Sequence, residues 1–429
     1  MSKRGTIILG AGLSGLGCAR QLPGATIYEA NGYAGGHAYS HAAGGFAFDE
    51  GAHICHSRDQ GYLDMIYGSA GRVHQIKTSK VLNRRNGDWL TYPVHNNLHE
   101  LAPRERILAL GDFVKAQINR GDKPPANYLE WCRLQYGEFL TKEFYERYTT
   151  KYWRTPMERL GTDWLSGRLL PAQIERVLAG SVETQAESQA VFAQFHYPAE
   201  GGYVRFYTRL YEGLDIRYNH QAIGVDWKGK KITFSHGEAV DYETLASSIP
   251  LPKLVGMLAD APTEVREAGC KLRSTKLLCV NLVVNRPRLT DTHWFYIYDQ
   301  ETEASRVSLA SNLGQEPAAE YATALQAEIF RRDDEPLPVE ALVENTVKQL
   351  TACLGFSRHE ITTVFPVVVP HAYVISDVDR AATVDFLVRW LQTKGIYSMG
   401  LLGRWKYIWS DAAFRDGENT ARAIVTSTI

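Results

Sequence analysis

The sequence has no long apolar run: no stretch approaches the roughly 18 uncharged apolar residues that a membrane-spanning helix needs. An excess of one charge is also missing. Lys+Arg number 47 and Asp+Glu 48, for a net charge of -1. That balance argues against the basic footprint of a nucleic-acid-binding chain and against an acidic disordered tail. It leaves room for a local basic cluster around a phosphorylated substrate. Cysteine is sparse. Cys18, Cys55, Cys132, Cys270, Cys279 and Cys353 are irregularly spaced and form no C-x-x-C pair. No disulfide framework is expected, and the thiols read as reduced, hence a cytoplasmic protein. There is no internal repeat and no low-complexity tract. The first apolar run, Ile7-Ile8-Leu9, is too short for a signal-peptide core.

The composition that remains is that of a globular protein, 45% hydrophobic and 22% charged. A length of 429 residues predicts two or three domains. Aromatic residues reach 11%, which suits either a broad, partly polar pocket or ordinary core packing.

Thr6-Ile7-Ile8-Leu9 reads as a buried parallel strand, Leu13 to Leu22 as a helix, and Ala25 to Glu29 as a second strand, forming a βαβ unit. Between the first strand and the helix lies Gly10-x-Gly12-x-x-Gly15. Gly10 permits the tight turn, Gly12 lets the backbone approach a pyrophosphate, and Gly15 packs helix on strand. The helix N-terminus, with Leu13 and Ser14 in its first turn, offers N–H groups and a positive dipole to phosphates. Glu29 follows Gly15 by 14 residues, and with Ala30 it stands where an adenosine ribose would be held. An acid there repels a 2′-phosphate and disfavours NADP.

Further helices are predicted around 62–71, 104–119 and 127–152, with an Asn86-Gly87 hairpin turn before them. Strands are predicted at 215–218, 222–227, 231–235, 245–249, 277–284, 293–298, 306–311 and 322–330. A helix at 339–354, strands at 361–369 and 396–400, and a helix from about Asp411 complete the pattern; Ser181 to Ala190 is polar and receives no element. The expected architecture is α/β. A discontinuous Rossmann-type dinucleotide-binding domain would take 1–58, about 205–255 and 395–429. A mostly helical substrate or cap region would take about 59–204, and an antiparallel-sheet substrate domain about 256–394.

The fingerprint followed closely by a second pair, Gly35-Gly36, resembles the large FAD family of amine oxidases, phytoene desaturases, protoporphyrinogen oxidases and UDP-galactopyranose mutases. The resemblance implies FAD rather than NAD, with Gly35, Gly36 and His37 on the flavin side. Several segments resemble the mutases in particular. These are Gly51-Ala-His53-Ile-Cys-His56, Asn86-Gly-Asp-Trp-Leu-Thr-Tyr-Pro93 with Asn97-Leu98-His99, and Tyr148-Thr-Thr-Lys-Tyr-Trp153. Pro198-Ala-Glu-Gly-Gly-Tyr203 and Gly400-Leu-Leu-Gly-Arg-Trp-Lys-Tyr407 follow in the same order. Three positions depart from that pattern. Leu401 stands where the mutases carry an arginine. Trp409-Ser410-Asp411 replaces an Asp-Met-Asp-like run. Ala172 and Gln173, after Arg168-Leu169-Leu170-Pro171, fall where a second phosphate-binding arginine is usual.

The mutase resemblance implies that reduced flavin N5 acts as nucleophile at the anomeric carbon of a nucleotide sugar. His53 is then the candidate at the flavin N5 edge, Arg306 the diphosphate ligand, and Trp153 a stacking surface. Tyr407 and Gly400 lie in the flavin segment, Tyr407 as a candidate hydrogen bond to phosphate. Tyr296 and Tyr373 are further substrate candidates. Cys55 reads as a buried apolar residue, and the spacing of His37, His41, His53 and His56 matches no standard zinc pattern, so no metal is expected. The departures keep two other readings open: an FAD oxidoreductase removing hydride from an amine, alcohol or C–C bond, and a flavin-binding protein without catalysis. A small molecule is the expected partner, with no nucleic acid and no membrane; a homodimer is compatible with the sequence.

Overall fold

The computed structural model describes residues 5–185, 192–315 and 318–428. Residues 1–4 and 186–190, the second part of the unassigned polar segment, lie outside the described residues. Strand Gly5–Leu9 (β1), helix Leu13–Gln21 (α1) and strand Thr26–Tyr28 (β2) form the expected βαβ unit. Their sheet continues in parallel through Asp215–Arg217 on one side and through Ala239–Ser247 and Ile396–Ser398 on the other. An antiparallel hairpin, Ala222–Asp226 with Lys231–Phe234, extends the first half of Ala239–Ser247.

The run Ile7-Ile8-Leu9 of β1 is apolar because both faces are covered. Ile8 packs with Leu16, Cys18, Phe414 and Ala421 of α1 and the helix Ser410–Thr428. Ile7 and Leu9 pack on the other face with Leu254, Val265 and Leu387. These three come from helices Leu251–Gly256, Thr263–Lys271 and Arg380–Gln392, none of which the sequence pattern predicted. The last two lie within the stretch expected to form the antiparallel domain, yet they cover the parallel sheet. Leu251–Gly256 and Thr263–Lys271 are short, with few apolar positions for periodicity to reveal, whereas Arg380–Gln392, at 13 residues, is open to such a reading.

The second sheet runs Ile361–Val374, Ser274–Val284, Thr323–Arg332, Arg306–Ser308, Trp294–Ile297, Val81–Arg85, Asp88–Thr91. All its pairs are antiparallel except Trp294–Ile297 with Val81–Arg85. The hairpin 81–91, in the stretch expected to be mostly helical, is thus an edge of this sheet. Alternation along Ser274–Val284 separates two cores. Leu278, Val280 and Leu282 meet Leu342, Val347 and Leu350 of the helix Val339–Leu354. Leu277 and Cys279 meet the helical layer through Tyr136, Leu140 and Phe144.

That layer corrects the prediction of one helix over 127–152. Helix Tyr128–Leu140 is interrupted at Gly137 (φ 81°), passes through a π-helical stretch at Thr141–Glu146 and resumes as Arg147–Tyr152. A Cβ at Gly137 would lie 2.6 Å from the backbone of Asp112, so the kink lets the helix Pro103–Ile118 approach. A further helix, Ile174–Val182, precedes the undescribed residues.

Glycines lock α1 to the helix Ser410–Thr428. A Cβ at Gly417 would overlap the Ser14 carbonyl oxygen, and one at Gly17 would overlap that of Phe414. Gly68, exposed in the helix Gln60–Ala70, meets nothing within 4 Å. Gly417→Val is therefore expected to destabilise the protein by about 3 kcal/mol or more through overpacking. Gly68→Ala should stabilise it by about 0.5–1 kcal/mol. Chemical denaturation midpoints of the two variants check both signs.

Candidate active site

A cavity of about 730 Å³ opens at the carboxyl ends of β1 and β2 and runs to the helical layer. All the predicted site residues line it except Gly15 and Gly400. Gly15 is excluded by its packing: a Cβ there would overlap the Gly10 carbonyl oxygen. Gly400 (φ +77°) sits against Ser14, where any side chain would overlap the serine hydroxyl. Its N–H donates to Asp416 Oδ2 at 2.6 Å, and Arg404 binds the same carboxylate at 3.0 Å. Leu401 and Leu402 take the places on the cavity wall.

At the β1 end, Gly12 caps α1 without a side-chain hydrogen bond, and the first turn carries no acid. A Cβ at Gly12 would touch only Gly36 Cα, at 3.8 Å, so the space above it is open. Glu29 is buried and held: Oε2 accepts the Ala11 N–H at 2.7 Å and Oε1 the Asn31 N–H at 2.8 Å. An uncapped helix N-terminus, a glycine cradle and a fixed carboxylate fit the pyrophosphate and ribose of a dinucleotide.

In the middle of the cavity lie His37, His53 and Glu50. Burial pushes His37 down to about 4, so it is a neutral imidazole. His53 Nδ1 donates to the Gly51 carbonyl at 2.8 Å, which leaves Nε2 as the acceptor nitrogen, and the ring stacks on Tyr203 at 5.1 Å. This segment is pinned from below by Glu328. That carboxylate accepts the Ala52 N–H at 2.7 Å.

The far end is aromatic. Tyr92, Tyr145, Tyr148, Tyr152, Trp153, Tyr296, Tyr373 and Tyr407 line it. Burial raises the phenols of Tyr148, Tyr152, Tyr296 and Tyr373 above their ordinary range, so they stay protonated and able to donate. Tyr152 and Tyr407 share a hydrogen bond of 3.1 Å. Trp153 is only 2% exposed and meets Tyr407 edge-on at 5.8 Å. Tyr148 and Tyr152, one helical turn apart on Arg147–Tyr152, are the wall residues that an i, i+4 pattern could have found. Lys151, between them, does not line the cavity. Its ammonium donates to the carbonyls of Ile297 and Asp299, each at 3.0 Å, and burial pulls it down to about 7.

Two arginines reach this end. The bidentate fork expected of Arg306 towards phosphate is already filled: Nε and Nη2 donate to Glu328 at 3.0 and 2.7 Å. Glu328, on the neighbouring strand, is 0% exposed, so Arg306 neutralises a buried carboxylate before it meets any ligand. Arg168, which the sequence pattern singled out only as a landmark, has the opposite character. Its guanidinium lies 3.7 Å from the Tyr407 ring centroid and 4.1 Å from that of Trp409. Its buried Nε and Nη2 have no hydrogen-bond partner among the described residues. Nη1 donates to the Trp164 carbonyl at 3.5 Å, so two of the three nitrogens are left on the cavity wall with bonding capacity that an anion could fill.

The family model of flavin-containing amine oxidoreductases matches residues 13–382. The chain belongs to this family. FAD is the cofactor of the family, and the cradle above fits it. The reduced UDP-galactopyranose mutase crystal structure superposes with a TM-score of 0.91 at 24% identity, covering 100% of this chain and 95% of that one. A protein from Exiguobacterium sp. described as a candidate protoporphyrinogen oxidase gives 0.76 at 17% identity, covering 100% of both. A putrescine oxidase bound to putrescine gives 0.64 at 15%, covering 99% of both. At these identities the likeness is one of fold. Among the described residues no helix is long and apolar enough to cross a membrane.

Two variants test the site. Gly12→Val meets no obstacle within the protein, so it should keep the far-ultraviolet circular dichroism while losing FAD, read as the flavin-to-protein absorbance ratio. Arg306→Ala strands the buried Glu328 carboxylate, and should lower stability by about 3–5 kcal/mol, read as a reduced denaturation midpoint.

Proposed function

We propose that this flavoenzyme rearranges or transfers the sugar of an anionic, diphosphate-bearing substrate, as a pyranose–furanose mutase of a nucleotide sugar does. The observation that carries this reading is Arg168, a guanidinium packed against the rings of Tyr407 and Trp409 with two unsatisfied buried nitrogens. Bound FAD supplies, when reduced, an electron-rich N5 for attack on an anomeric carbon.

Arg168 takes the diphosphate through Nε and Nη2 and offsets the negative charge that grows on it as the bond to the sugar breaks. The two adjoining aromatic rings shield the guanidinium from water, which strengthens that contact. Protonated Tyr148, Tyr152, Tyr296 and Tyr373 donate hydrogen bonds to sugar hydroxyls and orient the ring. Trp153 packs on the substrate's apolar face. Arg306 keeps its net charge balanced by Glu328, and the pair holds the Ala52–His53 backbone in place. His53, with Nδ1 committed to Gly51, presents Nε2 as an acceptor near the flavin. A cationic amine would meet an unpaired guanidinium at this end, which counts against an amine as the substrate.

The family model and the two oxidase-like neighbours support a second reading, an FAD oxidoreductase in which oxidised flavin accepts hydride from a small molecule. One anaerobic experiment separates the two. Oxidised and dithionite-reduced protein are each given a panel of nucleotide sugars, with products read by NMR and flavin by absorbance. The mutase reading expects many turnovers after a single reduction and no bleaching of the oxidised protein. Arg168→Ala should lower kcat/KM about 10- to 100-fold, from about 1.5–3 kcal/mol of charge-assisted bonding, at unchanged FAD content. Stoichiometric bleaching of the oxidised flavin by substrate, with one oxidised product per flavin, would overturn this reading in favour of the oxidoreductase.

A further inference from the structure

On the outer edge of the first sheet, away from the cavity, three side chains converge on one point. His220 precedes the strand Ala222–Asp226, and His236 and Glu238 sit in the turn between Lys231–Phe234 and Ala239–Ser247. That turn is set by backbone bonds from Phe234 N–H to the Glu238 carbonyl (2.8 Å) and from Gly237 N–H to the Phe234 carbonyl (3.0 Å), with Gly237 at φ +91°. It places His236 and Glu238 on one side. His236 Nε2 and His220 Nε2 lie 3.0 and 3.2 Å from the same oxygen, Glu238 Oε2. All three donor atoms are within 4.8 Å of one another.

We propose that His220, His236 and Glu238 form a site for one borderline divalent metal ion of the zinc class, which clips this turn to the loop that holds Glu29. The His220 tautomer is the first argument. Its Nδ1 is 2.6 Å from the Tyr218 carbonyl, so Nδ1 carries the proton and a neutral ring has its lone pair on Nε2. The facing Nε2 and carboxylate oxygen are both placed to take one cation between them. His236 brings a second Nε2 to the same oxygen, with the two ring centroids 4.6 Å apart. One shared metal ion satisfies all three donors at once.

Geometry and chemistry agree with this. Zinc bonds of about 2.0–2.2 Å imply tetrahedral edges of about 3.3 Å, and two of the three edges already match. The third closes by rotation of His236, whose side chain is 43% exposed. Two imidazoles and one carboxylate select zinc-class ions over calcium or magnesium and leave the fourth position to water. The hydrogen bond from Nδ1 to a backbone carbonyl is the outer contact that usually orients a ligating histidine. The site also bears on the cofactor end, because the His220 N–H donates to the Glu29 carbonyl at 2.8 Å and the His220 ring meets Tyr28 edge-on.

The test uses the full chain with FAD bound, stripped of metal by a chelator that is then removed. Zn²⁺ is titrated by calorimetry, and Co²⁺ serves as the spectroscopic probe. The wild type should bind about one equivalent, show the intense visible bands of a low-coordinate Co²⁺ site, and gain Tm on metal addition. His236→Ala and Glu238→Gln should each weaken binding at least about 100-fold and abolish the Tm gain, with FAD content unchanged as the check on folding. A wild type that binds well below one equivalent, or either variant retaining wild-type affinity, overturns the site. Since neither variant touches the cavity, failure here would leave the assignment of Arg168 untouched, and failure of that assignment would leave the metal site standing.

Discussion

Around the first turn of α1 the backbone approaches itself from three directions, and only glycine permits that. Gly15 lies on the Gly10 carbonyl, Gly417 on that of Ser14, and Gly36, at φ +54°, so near Gly12 that a Cβ on it would come 3.1 Å from the Gly12 Cα. These contacts hold the helix N-terminus at the mouth of the parallel strands, where its N–H groups and dipole face the cavity. They also bring in the helix Ser410–Thr428, so that the chain segment before it, with Tyr407 and Trp409, reaches the other end of the same cavity. The dinucleotide end and the substrate end are thus held by one set of close contacts.

The second organising feature is the buried Glu328. It fills the fork of Arg306 and also receives the Ala52 N–H. A fully buried ion pair contributes little net stability, but breaking it is costly, so it acts as a rigid joint between the second sheet and the histidine segment at 51–56. With Arg306 so engaged, Arg168 is the cavity-lining arginine left with buried, unsatisfied nitrogens. The positions that depart from the mutase pattern take on meaning in this light. Leu401 lines the wall without charge, and Trp409 supplies one of the two rings that hold Arg168. Arg168, packed against those two rings with two unsatisfied nitrogens, is the group to which the proposed function assigns anion binding.

The local parts of the design are visible in the residues. The fingerprint Gly10–Gly15 with Glu29, the strand β1, the helices near 62–71, 104–119 and 339–354, and the strands of the second sheet follow from short-range patterns of glycine, apolar period and alternation. Helix Thr263–Lys271 escapes that logic, because it contributes only a few apolar side chains to a surface made by β1 and its neighbours. The break at Gly137 escapes it as well. Its cause is the passage of the helix Pro103–Ile118, not anything in the sequence around it.

The same division runs through the site. Sequence by itself determined the dinucleotide-binding fingerprint, whose Gly10, Gly12 and Glu29 line the cavity, since that motif is read within about thirty residues of chain. It also singled out residues along the length of the cavity one by one, from Gly10 to Tyr407, while most of the lining came only with the fold. What each arginine does was decided only by the tertiary structure. Arg306 is neutralised because the register of Arg306–Ser308 against Thr323–Arg332 sets it opposite Glu328. Arg168 is left unpaired because Tyr407 and Trp409, far along the chain, pack against it without offering an acceptor. Whether a charge is spent on a partner or kept for a ligand depends on distances between remote segments, and no local pattern encodes those.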